Sequence, residues 1–118
     1  MEYTLTERTG RTQLHLQASE MGEGIVIRIF NENPHIGAIA VGEYDNKSGR
    51  TSVSMITRLG HKDDVLAHTS AYKVTKSTHR STCVIAGVHL PDATEEEIQK
   101  FVMTNDLLIT KLLDQFKS

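Results

Sequence analysis

Three segments of the chain are apolar at consecutive positions, which restricts how they can be buried. Residues 25–30 read Ile-Val-Ile-Arg-Ile-Phe, and residues 36–41 and 83–88 also carry apolar or small side chains at neighbouring positions. β-Branched residues favour a pleated strand, and a strand with one wet face alternates apolar with polar residues. We therefore expect these segments to form the centre of a sheet whose two faces are both covered.

The rest of the pattern indicates shorter strands and two helices. Between residues 63 and 78, apolar or small side chains recur at helical spacing. Thr94 and Glu97 form a capping box, and the helix that it opens runs to Phe116. The predicted strands span residues 3–6, 12–16, 25–30, 35–44, 51–59 and 82–90.

This element order, β-β-β-β-β-α-β-α, predicts an α+β fold. The expected sheet is mostly antiparallel and carries both helices on one face. The strand between the helices should run parallel to the strand before them, through a right-handed crossover. A length of 118 residues suits a single domain over residues 1–118 and is short for two.

Composition excludes several classes of partner. Lys and Arg number 13 against 15 Asp and Glu, so no strong positive charge draws the chain to nucleic acid or to an anionic membrane. Its apolar runs are far shorter than the roughly 20 residues that cross a bilayer. Cys83 is the only cysteine, and the first residues lack a secretory signal pattern. These features predict a cytoplasmic protein.

Three of the six histidines are expected at one edge of the sheet. His61 follows one of the two parallel strands, His89 ends the other, and His35 begins a strand antiparallel to the first. Ligands favour the carboxyl ends of parallel strands. The three side chains could bind a metal ion, contact an organic ligand or simply form local hydrogen bonds. Their spacing matches no close-set zinc motif, so no metal ligands are assigned.

The segment Arg58-Leu59-Gly60-His61-Lys62 precedes the first helix and has features of an anion site. Gly60 lets backbone amides face an anion, the helix amino terminus adds positive potential, and Arg58 and Lys62 supply charge. An ordinary helix start explains the same residues, since two aspartates already occupy the first turn. No complete acid–base constellation is present, so no catalytic residues are assigned.

Three segments together resemble a known family: His35-Ile36-Gly37-Ala38-Ile39-Ala40, Gly60-His61-Lys62-Asp63-Asp64, and Ala86-Gly87-Val88-His89-Leu90 with the following 93–98. In order and spacing, they resemble the prenylated flavin chaperone family. These LpdD-like proteins are the small D subunits associated with gallate-type decarboxylases. The resemblance implies a fold like that of proteasome assembly chaperones. It also implies a non-catalytic role in maturing a hydroxyarylic acid decarboxylase by handling prenylated FMN.

The resemblance implies a function for the sheet edge at which the three histidines are expected to lie. We expect transient binding of prenylated FMN, with FMN itself possible, because Trp is absent and few aromatic rings are available for stacking. Residues 60–62 would contact the phosphate, and two histidines would contact the ring or ribityl chain. The alternatives are an assembly chaperone that binds only a partner surface and a small enzyme with three histidines on a metal. The predicted cofactor-binding residues are His35, Gly37, Arg58, Gly60, His61, Lys62 and His89.

The sequence also predicts a homodimer. Two helices can cover only one face of a six-stranded sheet, whereas the central strands are apolar on both. A two-fold dimer is the commonest way to bury such a face. The alternative is that the amino-terminal strands curl over and close a second layer within one chain.

Overall fold

The computed structural model describes residues 2–58 and 63–116, which form a six-stranded sheet with two helices. The predicted element order and the α+β class are confirmed. The strands are β1 (Glu2–Thr9), β2 (Thr12–Met21), β3 (Gly24–Phe30), β4 (Ala38–Asp45), β5 (Arg50–Thr57) and β6 (Thr82–Gly87). The helices are α1 (Asp64–Thr78) and α2 (Glu95–Phe116). In the part of the chain described, no helix has both the length and the hydropathy to cross a membrane.

The sheet order is β1-β2-β3-β6-β4-β5, so β6 enters between strands that precede it in the chain. It pairs in parallel with β3 and antiparallel with β4; the other described pairs are antiparallel. Because β4 is antiparallel to both of its neighbours, β5 and β6 run in the same direction, as predicted. Strands β3, β5 and β6 therefore end at one edge of the sheet, called here the carboxyl edge. Both helices begin at this edge, since they follow β5 and β6.

One sheet face is covered by the helices and holds the core. Side chains from β2, β3, β4 and β6 that point to this face are almost fully buried, among them Leu16, Ile27 and Val84. Helix α1 packs on β4, β5 and β6, and α2 packs on β1 and β2. Alternation along the strands sends every second residue to this face, which explains why the buried positions recur with period two.

The opposite face, called here the open face, has no described helix on it. Near its centre, half-buried apolar or small side chains surround the exposed Arg28, which lies beside Ile85; they are Val26, Ile39, Val41, Cys83 and Ile85. Strands β1 and β2 pair edge to edge within the same sheet rather than folding over this face. The amino-terminal strands therefore do not close a second layer, contrary to the alternative considered above.

Three strands stop short of their predicted bounds at the carboxyl edge. Strand β4 begins at Ala38 rather than at residue 35, β5 ends at Thr57 rather than at residue 59, and β6 ends at Gly87 rather than at residue 90. The segment before β4 crosses the end of β6 so closely that a Cβ on Gly87 would lie 1.6 Å from the backbone oxygen of His35. This crossing blocks further pairing, so both histidines lie in loops rather than in strands.

Candidate functional site

A cavity of about 680 Å³ lies at the carboxyl edge, between the first turns of the two helices. Its size is in the range of small-molecule sites, which are mostly apolar clefts with a few placed polar groups. Most of its lining is apolar: Val65, Leu66, Val88, Leu90, Ala93, Ile98, Phe101 and Val102. Its polar lining residues are His35, Asp63, Asp64, His89 and Glu95.

Asp63 joins three parts of the chain beneath this cavity. Its side chain is 3% exposed, and its Oδ1 accepts a hydrogen bond from the backbone N–H of Val88 at 2.9 Å. Its Oδ2 lies 3.6 Å from Nε2 of His35. A Cβ on Gly37 would lie 1.8 Å from the same Oδ2, so only glycine leaves room for the carboxylate. Asp63 thus connects the start of α1 with the segments before β4 and after β6.

His35 is held from both sides of its ring. Its Nδ1 lies 3.1 Å from the backbone oxygen of Asn33. On the other side of the ring, Nε2 faces the carboxylate of Asp63 at the cavity wall. The ring is therefore oriented before any ligand arrives.

His89 is positioned through its backbone by Asn31. The Asn31 side chain is 1% exposed; its Oδ1 accepts the N–H of His89 at 2.9 Å, and its Nδ2 donates to the His89 carbonyl at 2.7 Å. The same Nδ2 donates to Oγ1 of Thr12 at 3.2 Å. A buried amide satisfied in this way is a rigid support. The His89 residue itself is exposed at the cavity.

The first turn of α2 has the predicted capping box. The N–H of Glu97 donates to Oγ1 of Thr94 at 3.1 Å, and the N–H of Thr94 donates to the Glu97 carboxylate at 3.0 Å. Arg11 from the β1–β2 turn donates from Nε to Glu97 Oε2 at 2.7 Å. This hydrogen bond, with that from the Thr94 backbone, lowers the pKa of Glu97 to about 2. The α2 side of the cavity is therefore tied to the sheet edge at neutral pH.

The structure brings together two of the predicted site residues, His35 and His89, on the cavity wall. Gly37 lies beside Asp63 and is outside the lining. Arg58 also lies outside it, with its N–H donating to the Gly37 carbonyl at 3.1 Å and its Nη1 to the Ile36 carbonyl at 3.0 Å. The remaining predicted residues, Gly60, His61 and Lys62, lie outside the described part of the chain. Within residues 2–58 and 63–116, no three His, Cys, Asp or Glu side chains are grouped to hold a metal ion.

Comparison with known families gives a match over residues 8–117 to the prenylated flavin chaperone LpdD-like domain. The chain belongs to this family. The matched range includes both helices and nearly all of the sheet, so the domain accounts for the whole site. No curated protein matches the sequence.

Among solved structures, this member of the LpdD-like family is similar to a chain from a chaperone complex for yeast 20S proteasome assembly. The TM-score is 0.59 with 17% sequence identity, and the match covers 98% of this chain and 95% of the other. At 17% sequence identity, this structural similarity shows that the two chains share a fold. The proteasome-assembly-chaperone-like architecture implied by the sequence resemblance is thereby confirmed.

Two residues that organise this LpdD-like site, Asp63 and Asn31, were missed by sequence reasoning. The sequence places Asp63 only as one of two aspartates at the start of a helix, and it predicts no role for Asn31. A polar residue directly after a central strand was the available signal for Asn31. Nothing in the pair Asp63-Asp64 indicates which aspartate is buried.

Replacing Asp63 with alanine is expected to lower the free energy of unfolding by about 2 kcal/mol, because the Val88 N–H would lose its acceptor in a buried position. Asp64 makes no described hydrogen bond and is half-buried, so Asp64→Ala is a matched control with an expected loss under about 1 kcal/mol. Urea denaturation of both variants measures the difference. Equal losses would contradict the anchoring role of Asp63.

Proposed function

We propose that this protein is a non-catalytic chaperone that binds prenylated FMN and delivers it to a hydroxyarylic acid decarboxylase. The observation that carries the proposal is the largely apolar cavity with His35 and His89 on its wall. Membership of the prenylated flavin chaperone LpdD-like family supports the identity of the ligand. FMN, which also has a flavin ring and a phosphate, is proposed as a second ligand of the same cavity.

The lining suits a planar, largely apolar ring that is bound and then released. Leu66 and Phe101 are buried in the wall, and Ile98 and Val102 are half-buried beside them. His89 is exposed at the cavity and can form hydrogen bonds with polar atoms at the edge of a ring. His35 contributes to the wall, with its ring oriented by Asn33 and Asp63. Phe101 is the only phenyl ring among the described lining residues, so stacking contributes little. Modest affinity is what transient delivery requires.

The polar groups deepest in the site already have structural partners. Asp63 accepts the Val88 N–H, and His35 contacts both Asn33 and Asp63. Groups engaged in this way position the cavity wall rather than stand ready for proton transfer with a substrate. This arrangement supports a binding role without catalysis.

The proposed phosphate contacts are those predicted from the sequence: Arg58, with Gly60, His61 and Lys62. Arg58 is exposed; its backbone N–H donates to the Gly37 carbonyl and its Nη1 to the Ile36 carbonyl. Lys62 precedes Asp63 in the chain, and Asp63 lines the cavity. Gly37 is proposed to serve the site indirectly, by leaving space for the Asp63 carboxylate.

Titration with prenylated FMN, followed by flavin fluorescence, is expected to show saturable binding that Ile98→Glu weakens at least tenfold. The added carboxylate would place a charge against the ring in the apolar wall, at a cost of more than about 1.4 kcal/mol. Gln99→Glu is the matched control, because Gln99 is exposed, lies outside the lining and receives the same substituent. It should bind like the unchanged protein.

The same variants test delivery to the enzyme. The protein alone should not decarboxylate aromatic acids, whereas its co-expression should raise the activity of the partner decarboxylase, and Ile98→Glu should not. Turnover by the isolated protein would contradict the non-catalytic role. Equal stimulation by the unchanged protein and Ile98→Glu, without flavin binding by either, would instead favour a chaperone that binds only a partner surface.

We also propose that the protein forms a homodimer through the open face. With strands about 4.8 Å apart and a rise of about 3.3 Å per residue, this face measures roughly 700 Å². A standard interface buries about 800 Å² per partner, so a second copy of the sheet matches the area to be covered. The apolar side chains of Ile39, Val41 and Ile85 lie at the centre of this face, and Glu43 lies toward its margin. The exposed Arg28 lies beside Ile85, so each copy would also bring one cation to the interface. A self-complementary patch of this kind fits two-fold symmetry.

A further inference from the structure

The buried wall of the cavity is apolar, whereas its more exposed lining residues are polar. Leu66 and Phe101 are 4% and 6% exposed and form its buried wall. Glu95 and His89 are exposed, and Asp64 is half-buried. Among the described lining residues there is no Lys or Arg, while three are carboxylates: Asp63, Asp64 and Glu95.

We infer that the ligand enters this cavity with its ring first and keeps its phosphate outside. This inference rests on the proposed function. A phosphate monoester carries a charge of about −1.5 to −2 near neutral pH. Moving that charge into an apolar wall beside Asp63 and Asp64 is strongly unfavourable, because the wall cannot solvate it and both carboxylates carry charge of the same sign. The ring has the opposite preference, since it removes apolar surface from water.

Because the phosphate stays outside the cavity, a receiving protein can bind it with its own cationic groups while the chaperone still encloses the ring. The ring then leaves an apolar wall for the receiving site, so it is not released into bulk water between the two. A single exposed ion pair to the phosphate would add little affinity, since such a pair contributes at most about fivefold.

The test compares riboflavin, FMN and FAD, which share one ring and differ only at the end that carries the phosphate. Riboflavin lacks the phosphate, and FAD extends it with a bulky adenylate. We expect the three dissociation constants to agree within tenfold, because that end lies outside the cavity. Ile98→Glu should weaken all three by a similar factor, and Gln99→Glu should weaken none.

Binding of FMN more than tenfold tighter than riboflavin would overturn the inference, because it would place the phosphate in a site of its own. Exclusion of FAD alone would overturn it as well, since the end of the ligand would then be enclosed. If only the prenylated compound binds, the same tenfold criterion is applied to prenylated FMN and its dephosphorylated form. If no flavin binds, prenylated FMN included, the proposed function itself fails.

Discussion

Replacing Gly87 with alanine will lower the free energy of unfolding by about 3 kcal/mol, which is the upper end of the usual cost of overpacking. The new Cβ would lie 1.6 Å from the backbone oxygen of His35 and 2.5 Å from its carbonyl carbon. The neighbouring backbone is constrained, because the N–H of Gly37 donates to the Ala86 carbonyl at 2.9 Å. The clash therefore has to separate the segment before β4 from the end of β6. Chemical denaturation followed by circular dichroism measures the loss.

Gly22→Ala provides the control for this experiment. Gly22 has a φ of +59° and nothing within 4 Å of the position that a Cβ would take, so alanine there suffers backbone strain without a clash. The expected cost is about 1 kcal/mol. If Gly87→Ala were no more destabilising than Gly22→Ala, the close crossing at the carboxyl edge would be wrong.

Light scattering at micromolar concentration will give a mass of about 26 kDa, twice the 13.2 kDa of one chain. The reason is the apolar open face, which a monomer would leave in contact with water. Ile85→Glu should reduce the mass to about 13 kDa, because two-fold symmetry brings the substituted positions of both copies into one dry interface. Ile85 is half-buried on β6, at the middle of the sheet.

Met103→Glu is the matched control for the dimer. Met103 is 71% exposed on α2, on the side of the molecule away from the open face, and it receives the same charge. This variant should keep the mass of a dimer. Dissociation by Met103→Glu but not by Ile85→Glu would place the interface on the helices. A mass near 13 kDa for the unchanged protein would contradict the dimer and leave the open face available to the decarboxylase.

Local patterns in the sequence determined the elements of this protein. Consecutive apolar residues such as 25–30 predict a central strand, and Thr94 with Glu97 predicts the start of α2, because each pattern depends on side chains close together in the chain. The direction of β6 relative to β5 also followed from the element order, and with it the convergence of His35 and His89 at one edge. The family resemblance is confirmed by the match over residues 8–117.

The tertiary structure decided how that edge becomes a site. Asp63 accepts its hydrogen bond from a residue 25 positions away, and Asn31 holds a backbone 58 positions away, so neither role leaves a local pattern. Gly37 and Gly87 are required because chain segments distant in sequence pass within contact of their Cα atoms. The cavity itself exists only between two helix starts that the sheet order brings together. The spacing of apolar residues along the sequence predicts which face of an element is apolar. Packing between distant segments determines which groups meet at that face.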